Sequence, residues 1–566
     1  MVRGVNLGRF FDNDTPDSLV RPVDSTLFER GTYPVRNLRS AWRNLRSAWR
    51  NLRVTWRQFV LFTLDIIVLG APPRHSHEDN AEIVLCEIHK MSLNQLSYVH
   101  FAAAGRESWG PVEFIGYSSR GINRIGQRAK ELRFIRLWEA GPAVVNWFYH
   151  ALGVRKVFVA NDYGEAGLAA GKEQSLDFYM RPSLEALENL QVEGIHIGDL
   201  VYDEFLTTRR VATIDLESRD FQNFLLDSIA MVHNWLEFFD SHSVRAVIAS
   251  HVYLQVVPLR IAASRGIGAY VVDHRPAHTY SLSRDFPRAR EHRREYPKIF
   301  SDFSIDRQAV ARAQAQKLLE VRLSGFRFNG DGADHRTPKR ATSATGSKVK
   351  ILVAPHEFTD SPHNFMNFYP DHYQWLRRLG HLAKTKNWEW YIKAHPQSSS
   401  LTLQVLEDFV ADFPSFTLVP QGTTHRTLLQ EHKITAAVTV VGTIGSEYPY
   451  LGIPVVHASA NHPHSEYRFA VTPSSREDYE DHISRLDALE SQIDREELLE
   501  YWFMNALYNR DFFFPWPFLP QRRLMLLLRH RRFKKSAESR ALISSFTKFI
   551  ESGDYWFDNQ KHRVRP

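Results

Sequence analysis

From about Ala81 to residue 500, the apolar positions fall in short runs rich in Val, Ile and Ala. Each run is closed by polar or Gly-containing residues and followed by a stretch of helical period. The runs predict strands at Ile83–Cys86, Val112–Ile115, Lys156–Ala160, Ala246–Ala249 and Ala269–Val272. Strands alternating with helices argue for a mostly parallel sheet, because a parallel pair needs a crossover that a helix supplies. The stretch from Phe326 to Lys348 (FRFNGDGADHRTPKRATSATGSK) is polar, lacks an apolar period and reads as a linker. Beyond it the alternation restarts, with strands predicted at Val349–Ala354, Trp388–Ile392, Phe416–Val419, Ala436–Val441 and Pro454–His457. Two α/β domains joined in this way leave a cleft between their carboxyl edges, where open α/β sheets bind ligands.

The N-terminal region has a different texture. RNLRSAW at 36 to 42 is repeated at 43 to 49 and again as RNLRVTW at 50 to 56. Leu38, Trp42, Leu45, Trp49, Leu52, Trp56 and Phe59 recur at alternating spacings of four and three, which places them on one face of a helix. Arginines at 36, 39, 43, 46, 50, 53 and 57 run beside them. An interfacial helix fits, with Trp and Leu in the headgroup boundary and Arg on anionic phosphates. So does a short coiled coil or a helix packed on the body, for which heptads are the ordinary signature.

Composition narrows the function classes. The chain has 566 residues, room for two or three domains, and a net charge of +7. The seven arginines at 36–57 and seven Lys and Arg residues at 512–535 stand in segments without acids, which leaves the rest of the chain mildly acidic. The high pI therefore reports two local segments, and a folded nucleic-acid-binding surface is not expected. One cysteine, Cys86, excludes an internal disulfide and a Cys-based zinc site and suits a reducing compartment. The longest apolar run, Phe59 to Leu69, has 11 residues interrupted by Thr63 and Asp65. Spanning a bilayer takes ~20. It also starts too far along the chain for an ordinary secretory signal. The expectation is a cytoplasmic protein, peripheral at the inner face of the membrane.

Two motifs carry chemistry. Lys393, His395 and Pro396 close a predicted strand in the second domain, where a cation and a donor can meet a phosphate and proline stiffens the turn. About 50 residues on, Gly442, Thr443, Ile444, Gly445, Ser446 and Glu447 lie between a predicted strand and a helix. The glycines admit a ligand to the backbone, the hydroxyls and amides suit a phosphate, and Glu447 is placed to accept ribose hydroxyls. A capped strand-to-helix turn accounts for the same residues.

HEFTDSPH at 356 to 363, FYPDHYQWL at 368 to 376, YIKAHP at 391 to 396, TVVGTIGSEYPYLGIPVVHASANHPH at 439 to 464 and HIGDLVYDEFL at 196 to 206 resemble bacterial surface (capsule-type) polysaccharide biosynthesis proteins. The resemblance covers roughly residues 80 to 500. It implies a GT-B-like glycosyltransferase with two Rossmann-like α/β domains, no obligatory metal and no cofactor beyond the nucleotide-sugar donor. The implied plan is an N-terminal extension (1–78), an acceptor domain (79–325), a linker (326–347), a nucleotide-binding domain (348–500) and an aromatic, basic C-terminal tail (501–566). Sialyltransferases and Kdo transferases of this architecture hold CMP with an HP pair and a hydroxyl-bearing Gly loop. His395 and Pro396 match the first; Thr443 and Ser446 fall where the second would be. Those enzymes also place an acid beside a glycine in the first domain as base. DYGEAG at 162 to 167 departs from that pattern, so CMP is only slightly preferred to UDP.

Asp162 and Glu165 follow a predicted strand and suit an acceptor base, with Asp199 and Asp203 of GDLVYD as further candidates that share a face if the segment is helical. Helix caps or solvated loop acids account for them equally. His251 is another residue expected at the cleft, or a structural histidine. His356, Asp360 and His363, and likewise His457, His462 and His464, mix donors that can bind zinc, but their spacing matches no standard closed site. They are expected to line a phosphate pocket, His356 and His363 at the donor, with no metal.

The reading is transfer of a sugar from a nucleotide sugar to a glycan or glycolipid acceptor. A nucleotide-sugar 2-epimerase, a polyol-phosphate transferase and a non-catalytic glycan-assembly protein are its rivals. For the Arg/Trp repeat the expected behaviour is attachment to an anionic membrane surface, at up to ~1 kcal/mol per arginine and weakening with salt. A chain starting near His75 should then lose sedimentation with anionic vesicles while keeping nucleotide binding. Equal sedimentation of both chains would make the repeat a packing helix.

Overall fold

The computed structural model describes residues 82–88, 92–118, 134–136, 149, 153–154, 156–160, 164–250, 253–273, 278–282, 291–323, 349–365, 367–395, 398–489, 494–508 and 537–564. The Arg/Trp repeat, Asp162, His251, the linker at 326–347, Pro396 and the basic run at 522–535 lie outside them.

The first α/β layer is built on β1 (Glu82–Glu87), β2 (Val112–Ser118), β3 (Phe134–Arg136), β4 (Lys156–Val159), β7 (Val244–Ala249), β8 (Gly268–Val271) and β9 (Tyr280–Ser281), while β5 (Gln191–Val192) and β6 (Ile195–His196) form a separate hairpin. The sheet order is β3-β4-β2-β1-β7-β8-β9. Its five inner strands are parallel and its two edge strands antiparallel. Helices α1 (Ser92–Trp109), α2 (Glu165–Met180), α3 (Leu184–Glu188), α4 (Gly198–Arg209), α5 (Arg219–Ser241), α6 (Val257–Ser264), α7 (Tyr296–Ser301) and α8 (Ile305–Arg322) belong to this half of the chain. Ile83, Val84, Leu85 and Cys86 are all buried, as strands covered on both faces require.

The second layer is a parallel sheet of β10 (Lys350–Ala354), β11 (Glu389–Ile392), β12 (Phe416–Leu418), β13 (Ala436–Thr439) and β14 (Val455–His457), in the order β12-β11-β10-β13-β14. Between its strands and after them come α9 (His372–Ala383), α10 (Ser400–Asp412), α11 (His425–Gln430), α12 (Ile444–Tyr450), α13 (Arg476–Ser484) and α14 (Arg495–Phe503). Two Rossmann-like layers of this kind make the GT-B architecture. All ten strands expected from the sequence are present.

The stretch read as a C-terminal tail holds more structure than that word implies. Residues 501–503 finish α14, and α15 (Ala537–Ser552) returns to the first layer, where Leu542, Phe546 and Phe549 bury against the core that contains Phe101 of α1. The chain is fixed there by a bridge between Tyr280 and Trp556 and a bond from the Phe557 N–H to the Thr279 carbonyl at 2.8 Å. Among the described residues no helix is long and apolar enough to cross a membrane.

Helix α4 is placed by a close backbone crossing. A Cβ on Gly198, its first residue, would stand 1.9 Å from the Leu187 carbonyl oxygen of α3. Backbone atoms cannot swing aside as a long side chain can, so only glycine fits. Gly198→Ala should therefore destabilise the fold by ~1–3 kcal/mol or more in urea unfolding. Gly164→Ala, whose Cβ meets nothing within 4 Å, should stay within ~0.5 kcal/mol of wild type. Equal effects at the two positions would show that the crossing does not constrain α4.

Candidate functional site

In the second sheet the chain runs outward from β10 to β11 and β12, then crosses back to β13, so the topological switch lies between β10 and β13. Ligand crevices of open α/β sheets form at such points. His356, two residues past β10, lies in this one. Its Nε2 accepts the Val441 backbone N–H at 3.1 Å, two residues past β13. Burial holds its pKa below the ordinary value, so the ring is neutral with its proton on Nδ1. It stacks on His372 at 5.1 Å between centroids. His372 is fully buried, and neither of its ring nitrogens has a partner among the described residues.

On the other side of β10, Lys393 directly follows β11 and is half-buried, and burial lowers its pKa. His395 is exposed. His425 at the start of α11 is pushed down to about 4 by burial and by the Lys393 charge, and its Nδ1 lies 2.8 Å from the Tyr448 hydroxyl. The carboxyl edge thus offers one ammonium and several neutral imidazoles, a set suited to an anion.

The Gly442–Glu447 turn is arranged differently from the sequence expectation. The N–H groups of Gly445, Ser446 and Glu447 already donate to the carbonyls of Gly442 and Thr443 at 3.0 Å. The Ser446 hydroxyl, buried, donates to the Thr443 carbonyl at 3.1 Å. Glu447, expected to accept ribose hydroxyls, is buried, and Arg322 of α8 donates to its Oε1 at 2.6 Å. Gly445 is dictated by a histidine: a Cβ there would sit 2.4 Å from Nε2 of His457. Thr443 alone of these residues is exposed, and with Gly442 it is the part of the motif left facing outward.

Where the layers meet, α4 touches the loop after β10. The Tyr202 hydroxyl donates to Asp371 Oδ2 at 2.7 Å, and the Thr207 hydroxyl donates to the Thr359 carbonyl at 2.7 Å. His363 places Nδ1 2.7 Å from Asp203 Oδ1 and Nε2 3.3 Å from Glu188 Oε1. Burial opposes the imidazolium, but the Asp203 and Glu188 carboxylates outweigh it and push His363 up to about 10. Burial pushes Asp203 up to about 6 against the pull of His363. At neutral pH the two form an ion pair.

The remaining candidate acids lie elsewhere. Asp199 receives both Arg260 guanidinium nitrogens at 2.7 and 2.6 Å and has His196 Nδ1 at 3.2 Å. Burial works against its charge, but Arg260 dominates and holds the carboxyl well below the usual carboxylate range. A carboxylate so stabilised is a poor base, so Asp199 anchors α4 and is unsuited to the catalytic role expected for it. Glu165 is exposed as the first residue of α2, a favourable place for an acid at a helix start. Its neighbours Gly164, Ala166 and Gly167 line a groove of about 620 Å³ with Glu193, His233 and Arg265.

Two groups were missed in the sequence. Glu87, the last residue of β1, is buried at the switch point between β1 and β7 of the first sheet. Its Oε2 accepts the Ser250 N–H at 2.6 Å and the Tyr98 hydroxyl at 3.2 Å, and no cation pairs with it among the described residues. A carboxylate ending the apolar run IVLC was a legible signal. Glu188 carried none, since its role depends on the chain reversal that brings α3 beneath α4.

Removing His363 leaves Asp203 and Glu188 facing each other without a cation, so His363→Gln should cost ~3 kcal/mol near neutral pH. The folded pKa of His363 lies above its ordinary 6.5, so its stabilisation is complete below pH 6.5 and is lost as pH rises toward about 10. Urea unfolding curves of wild type and variant should converge between those limits. A gap that stays constant would mean that the charge of His363 contributes nothing.

No family model matches the chain, and no curated protein is similar to it in sequence. Among solved structures it is similar to two of KpsC from Thermosulfurimonas dismutans. The beta Kdo 2,7 transferase is 11% identical, with a TM-score of 0.28, over 48% of this chain and 79% of that one. The beta Kdo 2,4 transferase is 12% identical, with a TM-score of 0.28, over 46% and 79%. It is also similar to the UDP-GlcNAc 2-epimerase of Neisseria meningitidis, 9% identical with a TM-score of 0.22, over 75% of this chain and 97% of that one.

Proposed function

We propose that this chain is a glycosyltransferase that moves a sugar from a nucleotide-sugar donor to a surface-polysaccharide acceptor, with the nucleotide on the second layer and the acceptor on the first. The observation that carries the reading is the edge of the second sheet, where His356, Lys393 and His395 stand beside its switch point and the loop bearing His356 also delivers His363 to Asp203 of the first layer. In the transfer, the acceptor oxygen bonds to the anomeric carbon as the bond to the donor phosphate breaks, and the hydroxyl proton passes to a base. Lys393, His395 and the Thr443 hydroxyl counter the charge on the leaving phosphate. Gly442 keeps the approach to Thr443 open. Glu165, with an exposed carboxylate, and Asp203, which faces the second layer, are the two acids between which the base is assigned.

A thermal-shift panel with CMP, UDP, CDP and GDP identifies the nucleotide; at 100 times its dissociation constant a ligand raises stability by ~2.7 kcal/mol. Lys393→Ala and His395→Ala should each weaken that nucleotide by ~1.5–3 kcal/mol and leave the unliganded protein folded. Glu165→Gln or Asp203→Asn should lose turnover with donor affinity kept. Unchanged affinity in both edge variants would remove the donor site from this edge. Conversion of a nucleotide sugar without an acceptor would assign epimerisation instead.

A further inference from the structure

Three histidines that the donor site does not use converge behind it. His457 is the last residue of β14, and His462 and His464 lie in the loop that follows. Their side chains are 0%, 2% and 1% exposed. The ring centroids are 4.1 Å apart for His457 and His462, 4.6 Å for His457 and His464, and 4.3 Å for His462 and His464. One nitrogen from each can be chosen so that all three lie within 4.8 Å of one another.

The hydrogen bonds around the trio fix which nitrogens of His457 and His464 carry lone pairs. His457 Nδ1 lies 3.1 Å from the Val440 carbonyl, which only accepts, so Nδ1 holds the proton and Nε2 is bare. His464 Nε2 lies 2.8 Å from that bare nitrogen. In a neutral ring it must then be the donor, which leaves His464 Nδ1 bare and without a partner. His462 Nε2 is engaged by the Thr472 hydroxyl at 2.9 Å, and its Nδ1 has no partner either. Two buried ring nitrogens remain unsatisfied in every neutral assignment, at a cost of ~1–3 kcal/mol each.

The geometry points to a zinc site formed by His457 through Nε2, His462 through Nδ1 and a ring nitrogen of His464. Neutral imidazoles are the commonest zinc ligands, and three of them fill three of four tetrahedral positions, leaving one for water. The outer bonds match the pattern of metal-bound histidines, whose second nitrogen donates to a carbonyl or hydroxyl: Val440 serves His457 and Thr472 serves His462. Zn–N bonds of ~2.0–2.1 Å place tetrahedral nitrogens roughly 3.3 Å apart, so the three nitrogens, now within 4.8 Å of one another, adjust to that spacing and the 2.8 Å contact between His464 and His457 gives way to it. Burial of all three rings makes the site structural. It ties the end of β14 to the following loop and holds His457 against Gly445, so it sets the position of the turn that presents Thr443.

The test uses the full chain without a histidine tag, dialysed against zinc and then against buffer. One zinc per chain should remain, and cobalt(II) in its place should give the visible absorption of a tetrahedral nitrogen site. His462→Gln and His464→Gln should lose both signals. Thr472→Val, which keeps all three rings, should bind zinc ~10–100-fold more weakly. His381→Gln, on the exposed side of α9, should bind as wild type. Absence of zinc from the folded wild-type chain, or stoichiometric zinc retained by both ring variants, overturns the site. Should the ring variants not fold, wild-type affinity in Thr472→Val overturns it equally.

Discussion

Helix α4 is a polar joint between the two layers. α4 is fixed to the first layer at its start, where Gly198 lies against the α3 backbone and Asp199 is clamped by Arg260. Further along it sends Tyr202, Asp203 and Thr207 into the loop after β10. The contacts differ in kind. Tyr202 to Asp371 and Thr207 to Thr359 are directional bonds worth ~1 kcal/mol each. The Asp203–His363 pair, enclosed by both layers, contributes less to net stability than to permitting a single alignment, because any shift leaves a buried charge unpaired. The layers also share an apolar core, in which Ala315 and Leu319 of α8 pack with Phe469, Leu498 and Trp502, so α4 supplies a polar part of the alignment beside that seam.

The two switch points are built alike and differ in sign. In the first sheet the Glu87 carboxylate takes the backbone N–H of Ser250, just past the neighbouring strand; in the second the His356 imidazole takes that of Val441. Each closes the crevice with a titratable group drawn from the central strand's exit. The first edge is thereby acidic, and the second carries a neutral ring next to an ammonium.

The strands were legible because parallel strands buried on both faces read as apolar runs, and Val349–Ala354 and Ala436–Val441 are of that kind. The edge strands Phe134–Arg136 and Tyr280–Ser281 are too short to show a period. α15 was readable, since Leu542, Phe546 and Phe549 share one face, but the preceding basic run drew its segment into a tail. For the turn at 442–447, the sequence did not show which way the side chains face. Ser446 and Glu447 point inward because a short helix packed on β14 and reached by α8 must bury one side, and no local pattern reveals that α8 supplies Arg322.

Gly445 shows why a glycine in a strand-to-helix turn is weak evidence of a ligand. Its missing side chain makes room for a ring from the next strand, and the demand arises 12 positions away at His457. The spacing of His457, His462 and His464 fits neither a helix nor a strand, so the trio exists only once the loop has folded over α12. Its rings are buried together, and two of their nitrogens have no partner among the described residues. The turn at 442–447 thus packs on the cluster through that glycine. The constraint on Thr443 comes from beneath the site, from the packing of imidazoles on the helix that follows it.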